Sequence, residues 1–227
     1  MKFNKLTSAL MVFAAVSDVS LPVSTAFAAP DAAKIAERKA RKSQAVGEKV
    51  GKAIGKAYEL YGQNKIAEAI AILEPLEPSS AFDKAYLARF LGSLYVEKNP
   101  EKAIKYLKEA VQPDILSFTD QAAALRNLGD LSIMAKKYQD AINYYNKWLD
   151  FTGELDPNVE MRIANCYYEM RQFNKVIAPA DRAIAHFKEP KKEPYIMKYA
   201  SYYELKQTKK VIEVLEEAVV IFPKEKS

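Results

Sequence analysis

The feature that most limits what this chain can become is an internal stride of about 35 residues. Tyr167-Tyr168-Glu169, Gln172 and Lys175-Val176-Ile177 recur 35 residues later as Tyr202-Tyr203-Glu204, Gln207 and Lys210-Val211-Ile212. Upstream, Ala69-Ile70, Ala103-Ile104 and Ala141-Ile142 carry the same small residue before isoleucine. The small positions Ala69, Ala103, Ala141, Val176 and Val211 are 34, 38, 35 and 35 residues apart. Seven residues beyond each stand Leu76, Ala110, Trp148, Ala183 and Ala218. Seven residues make two helical turns, so each pair lies on one helix face.

Leu91-Gly92 with Tyr95, and Leu128-Gly129 before Tyr138, supply a first helix for two of the units. A glycine or alanine where two helices cross lets their backbones approach, while tyrosine, phenylalanine and leucine fill the flanks. The pattern resembles the tetratricopeptide-repeat (TPR) family, a helix–turn–helix repeat of about 34 residues. The likeness runs from Val50 to Pro223. It implies an all-α fold, a right-handed α-solenoid of about five TPR-like hairpins. The units fall near 49–80, 83–113, 120–155, 158–190 and 193–223 within an array spanning 49–223.

Four departures bear on local geometry. Pro179 falls inside the second helix of unit four, where it should kink the helix or remove a backbone hydrogen bond. Pro75 does the same near the end of unit one. Trp148 takes the place of the usual small residue in unit three, so the adjacent boundary must widen. The 38-residue spacing around Gln112-Pro113-Asp114 implies a longer connector.

The amino terminus has its own logic. Lys2 and Lys5 precede an apolar stretch from Leu6 to Val16, and Ala26-Phe27-Ala28 closes it. That order is a secretory signal peptide, residues 1–28, cleaved after Ala28, which places the mature chain in the periplasm. Asp18 and Pro22 interrupt the run well short of the roughly 20 apolar residues of a membrane span. The next segment, 29–48, is a basic arm. Between Ala29 and Lys56, Lys34, Arg38, Lys39, Arg41, Lys42, Lys49, Lys52 and Lys56 face only Asp31, Glu37 and Glu48. This excess equals the net charge of the whole chain, +5, so the body is near neutral. Export argues against nucleic acid, leaving weak contact with an anionic surface or an acidic protein. Charge density predicts that the arm, to about Ala45, is mobile or only partly helical. At the other end the chain stops directly after a second helix, with residues 224–227 as a tail. A repeat array normally ends in a polar capping element. Either the array dimerises through that end, or the sequence is the front portion of a longer protein.

Chemistry-bearing residues are sparse. Cys166 is the only cysteine and His186 the only histidine, so neither an intramolecular disulfide nor a His/Cys metal shell can be assembled. No glycine-rich phosphate loop or nucleophile elbow is present. The expectation is no enzyme activity, no catalytic residue, no cofactor and no metal. In the family resembled, first helices of successive hairpins line a concave surface that grips peptides. The repeat register turns Arg89, Arg126, Asn165, Tyr168 and Tyr203 towards it as candidate peptide contacts. The resemblance does not extend to the basic-and-asparagine clamp with which some members hold carboxy-terminal carboxylates. More narrowly, the signal segment ending Ala26-Phe27-Ala28-Ala29-Pro30, the arm's Arg38-Lys39-Ala40-Arg41-Lys42, and the Ala69-Ile70 and Tyr138-Gln139-Asp140-Ala141-Ile142 units look like periplasmic TPR proteins encoded beside TonB-type energy-transduction systems. That likeness implies a protein-binding scaffold accessory to outer-membrane transport, with TonB complex components as partners. A cell-envelope assembly or division factor on the same scaffold is the alternative.

Overall fold

The computed structural model describes residues 31–223. The expected signal segment 1–28 and tail 224–227 lie outside the described residues. Eleven helices and no strand occur among them. After α1 (Ala32–Ala40) the chain forms five hairpins. They are α2 (Glu48–Gly62) with α3 (Ile66–Leu73), and α4 (Ala81–Tyr95) with α5 (Pro100–Val111). Then come α6 (Phe118–Met134) with α7 (Tyr138–Thr152), α8 (Pro157–Glu169) with α9 (Phe173–His186), and α10 (Lys192–Glu204) with α11 (Thr208–Ile221). From α2 onward packing joins helices adjacent in sequence, together with the first-helix pairs α2–α4 and α8–α10, while α1 touches α7 lightly. Burial is therefore shared from neighbour to neighbour along an α-solenoid, with no closed centre. No helix among the described residues is long and apolar enough to cross a membrane.

Two kinds of punctuation set the hairpins. The first helices α4, α6 and α8 begin at side-chain caps. Ser80 Oγ accepts the Asp83 amide at 2.9 Å, Ser117 Oγ that of Asp120 at 3.1 Å, and Asp156 Oδ1 that of Asn158 at 2.8 Å. The turns inside hairpins one, three, four and five instead pass through a left-handed residue: Asn64, Lys136, Arg171 and Lys206, at φ between 56° and 60°. Each turn is closed by the next amide reaching back over the helix end, as Lys137 N–H does to Ser132 C=O at 2.8 Å and Gln172 N–H to Tyr167 C=O at 2.9 Å. This is the Schellman closure, built without glycine. Hairpin two has a connector one residue longer, 96–99, and relies on Asn99, which caps Lys102 at 3.0 Å with Pro100 at the first helical position.

Helices cross at the small residues. A Cβ on Gly92 would stand 2.7 Å from Leu107 Cγ, and one on Gly129 2.5 Å from the Tyr145 ring. Ala69, Ala103, Ala141 and Val176 are fully buried. Trp148 is buried as well, in a cluster with Ile142, Phe151, Val159 and Ile163. Helix α9 runs continuously through Pro179, which, lacking an N–H, gives the Lys175 carbonyl no donor at that turn. Helix α3 ends at Leu73, before Pro75, and is the shortest of the hairpin helices.

Units one and two are tied by a polar knot at Glu74, just past α3. Its Oε1 accepts from Tyr95 Oη at 2.9 Å, Lys102 Nζ at 2.9 Å and Tyr106 Oη at 3.1 Å. The Lys102 bond, and then that of Tyr95, hold the Glu74 carboxyl below its ordinary value of 4.5. A carboxylate with a depressed folded pKa stabilises the protein above the unfolded pKa and loses that contribution as pH falls through the folded value. Glu74→Gln is therefore expected to flatten the acid limb of stability against pH below about 4.5, read from urea midpoints at successive pH. An acid limb as steep as wild type would mean that the knot carries no proton linkage.

Charge density predicts an arm that is mobile or only partly helical, and the structure has it partly helical and docked on the body. Asp31 caps α1 by accepting the Ala33 amide at 3.0 Å. Arg38 donates to Asp150 C=O at 2.8 Å, and Arg41 to Asp114 C=O at 2.7 Å. The arm is helical only over α1, and residues 41–47 are not helical. Its two arginines bind the body, while Lys34, Lys39 and Lys42 remain exposed.

Candidate protein-binding surface

On the first-helix side, units three to five enclose a groove of about 470 Å³. Its apolar lining is Ile133 from α6, Met161 from α8, Phe187 at the end of α9 and Met197 from α10. Polar groups ring it: Asn158, Arg162 and Asn165 on α8, Lys191 in the connector and Glu193 on α10. Arg162 is held by Asp130 at 3.0 Å, and Asp130 also accepts the buried Tyr145 hydroxyl at 2.5 Å. Burial and that carboxylate keep the Tyr145 phenol protonated. The cation at the groove wall is thus fixed from behind by the core of unit three. Methionines adapt their shape to an inserted side chain, and fixed donors beside them orient a backbone.

Of the five residues that the repeat register turned outward, Asn165 lines this groove. Tyr203 is 72% exposed near the end of α10. Tyr168 is half-buried, edge-on to Phe173 with centroids 5.2 Å apart, and packs its own hairpin. Arg89 and Arg126 join units instead. Arg89 Nε lies 3.3 Å from Asp120 in the first turn of α6, and Arg126 donates at 3.0 Å to Asp156, the cap of α8. Each arginine clasps the start of the following first helix. Met161, Met197 and Ile133 were missed because apolar residues at helical spacing read as repeat core. Sites 161 and 196, however, are equivalent in the 35-residue register, and Ile196 is itself 50% exposed.

The residues with reactive side chains are quiet. Cys166 is fully buried, and burial pushes its thiol up to about 11, with Glu169 adding to the shift. A neutral buried thiol is a poor nucleophile. His186 is exposed, with Nδ1 2.7 Å from the Arg182 carbonyl. Among the described residues, no three His, Cys, Asp or Glu side chains converge as a metal site would require.

Solved structures share this architecture. MamA (AMB-1) superposes with a TM-score of 0.60 at 16% identity, over 77% of this chain and 92% of that one. A second MamA crystal structure gives 0.60 at 18% identity over 79% and 95%. YrrB, described as a TPR protein with an unusual peptide-binding site, gives 0.59 at 16% identity over 76% and 86%. At these identities the likeness is one of fold. No curated protein matches the chain in sequence. The family described as the SusR N-terminal TPR domain matches residues 30–154, from the arm through the third hairpin. That match spans more than half of the chain, and the chain therefore belongs to the SusR N-terminal TPR domain family.

Proposed function

We propose that this protein is an exported, non-catalytic scaffold that binds a partner protein by seating a peptide segment in the first-helix groove of units three to five. The observation that carries the reading is that groove. Ile133, Met161, Phe187 and Met197 form an apolar floor ringed by Arg162, Lys191, Asn158 and Asn165. A TPR scaffold uses such a face to hold an extended or helical peptide through one or two apolar anchors. The signal-type amino terminus supports a periplasmic site of action. The arm and repeat motifs support a component of a TonB-type outer-membrane transport assembly as the client.

The test places a photo-crosslinking residue at position 165 or 193 of the full chain, both on the groove's polar rim, in cells, and captures adducts from envelope fractions. TonB components crosslinked at those positions are the expected result. Envelope assembly or division proteins in their place would redirect the client, and adducts that persist when Met161 and Met197 are both glutamate would remove the groove. That double substitution is expected to weaken the captured partner by about tenfold or more while far-UV circular dichroism stays unchanged.

A further inference from the structure

The second face of interest lies along the unit junctions, away from the first-helix groove. The arm crosses them in the order opposite to the repeats. At the start of α4, Gly47 N–H donates to Asp83 Oδ1 at 2.9 Å, and Val46 packs against the cluster that includes Phe82, Ala85 and Leu116. At the α5–α6 connector, Arg41 donates to Asp114 C=O at 2.7 Å, Asp114 Oδ1 at 3.1 Å and Leu116 C=O at 3.1 Å. At the end of α7, Arg38 donates to Asp150 C=O at 2.8 Å and sits 4.9 Å above the Phe151 ring. Lys39 lies 5.7 Å over Phe118, whose ring stacks on Phe151 at 5.3 Å. Ile35 fills the space that Gly153 leaves open at φ +68°, where any Cβ would strike it.

The receiving groups share one chemistry. The last carbonyls of a helix have no partner within it, and they carry the negative end of its dipole. Here a helix-end carbonyl of α7 and two connector carbonyls beyond α5 stand beside the Asp114 and Asp150 carboxylates and two aromatic faces. All of them accept cations. Residues 38 and 41 are three apart, so both guanidiniums reach the same side of the arm. Their side chains are 19% and 24% exposed, against 68% for Lys34 beside them. The surface takes the arginine positions most deeply and leaves Lys34 and Lys42 in water.

We propose that this row of junctions is a second peptide-binding surface, which takes a basic helix bearing arginines three residues apart, and that α1 is its resident, displaceable occupant. Helix α1 is nine residues long and buries none of them. A helix so short does not persist alone, so it holds its form by docking. Lys42 to Ala45, which connect it to the body, are non-helical, and Lys42, Ser43, Gln44 and Ala45 are exposed. They form a tether that permits release. Arg38 is also one wall of the roughly 820 Å³ groove between α5 and α7 that Asn143, Tyr144 and Lys147 line. Departure of α1 widens that groove. The surface is thus guarded in cis, and a segment of the same chemistry on another protein must outcompete a tethered rival.

The test uses the full chain and a fluorescent peptide with the sequence of residues 31–47. Wild type, its surface occupied, is expected to bind the peptide about tenfold more weakly than the Arg38→Glu/Arg41→Glu chain, whose own arm is repelled. Amides 33–40 should lose hydrogen-exchange protection in that variant while the hairpins keep theirs. The variant Ile35→Asp, which unseats the arm without touching its arginines, should show the same gain. Less than about a threefold difference between wild type and both variants, or no binding to any of the three chains, overturns the proposal. So does equal binding of a peptide carrying glutamate at both arginine positions.

Discussion

Arg182→Met is expected to lower the unfolding free energy by about 3 kcal/mol, the largest loss from any single polar contact in the array. Glu160, in the first turn of α8, is only 4% exposed. Its two carboxylate oxygens accept from Arg182 Nε at 2.7 Å and Nη2 at 2.9 Å, a bidentate pairing across the fourth hairpin. Removing the guanidinium leaves a desolvated carboxylate without its main counter-charge, and this loss exceeds the attraction that was surrendered. Arg182 reaches solvent with 30% of its side chain, which keeps the figure at the low end of the range for buried pairs. The urea midpoint should move by about 1 to 2 M. Hydrogen exchange should localise the damage to α8–α11, since each unit leans on its neighbours. Adding Glu160→Leu to the variant should restore most of the loss, because the stranded charge is then gone. A single-variant loss below about 1 kcal/mol would show that water reaches Glu160.

The contrast between that pair and the residues picked out from the repeat register shows what the sequence could convey. The stride was legible because its carriers are side chains: Ala69, Ala103, Ala141 and Val176 recur as letters, and each is fully buried at a crossing. Gly92 and Gly129 were legible for the same reason, and each faces a large residue on the partner helix. The hairpin turns were not. Their left-handed residues are Asn64, Lys136, Arg171 and Lys206. A lysine or arginine in that conformation leaves no mark in sequence, because backbone bonds closing the turn do the stabilising. The arm shows the same blindness. Its charge was plain, but its acceptors are largely backbone carbonyls, which every residue has. Arg89 and Arg126 were read as facing a ligand because helical register reports a side chain's face. It does not report the acidic group one unit further on, Asp120 or Asp156, that occupies that face.

Trp148→Ala sets repeat pattern against packing most directly. Alanine is what the neighbouring units carry, at Ala110 and Ala183, both fully buried, so a pattern-based argument expects gain or indifference. The packing argues for a loss of about 4 kcal/mol. Trp148 is 5% exposed, and its indole fills the boundary between units three and four beside Phe151, Val159 and Ile163. The ring also seats the Arg126 guanidinium at 5.4 Å, while Arg126 holds Asp156 at 3.0 Å and Asp156 caps α8 at the Asn158 amide. Truncation opens a cavity and loosens the clasp that sets where unit four begins. Trp148→Phe keeps much of the volume and should lose about half as much. Because Trp148 is the only tryptophan, far-UV circular dichroism is the probe, with urea midpoints compared across the three proteins. If the alanine variant stays within about 1 kcal/mol of wild type, the boundary has closed by sliding unit four inward. Spacing along the solenoid would then be set by the helices' own small-residue contacts. A loss near the full figure, graded through phenylalanine, means that this one side chain holds the two halves of the array at their distance.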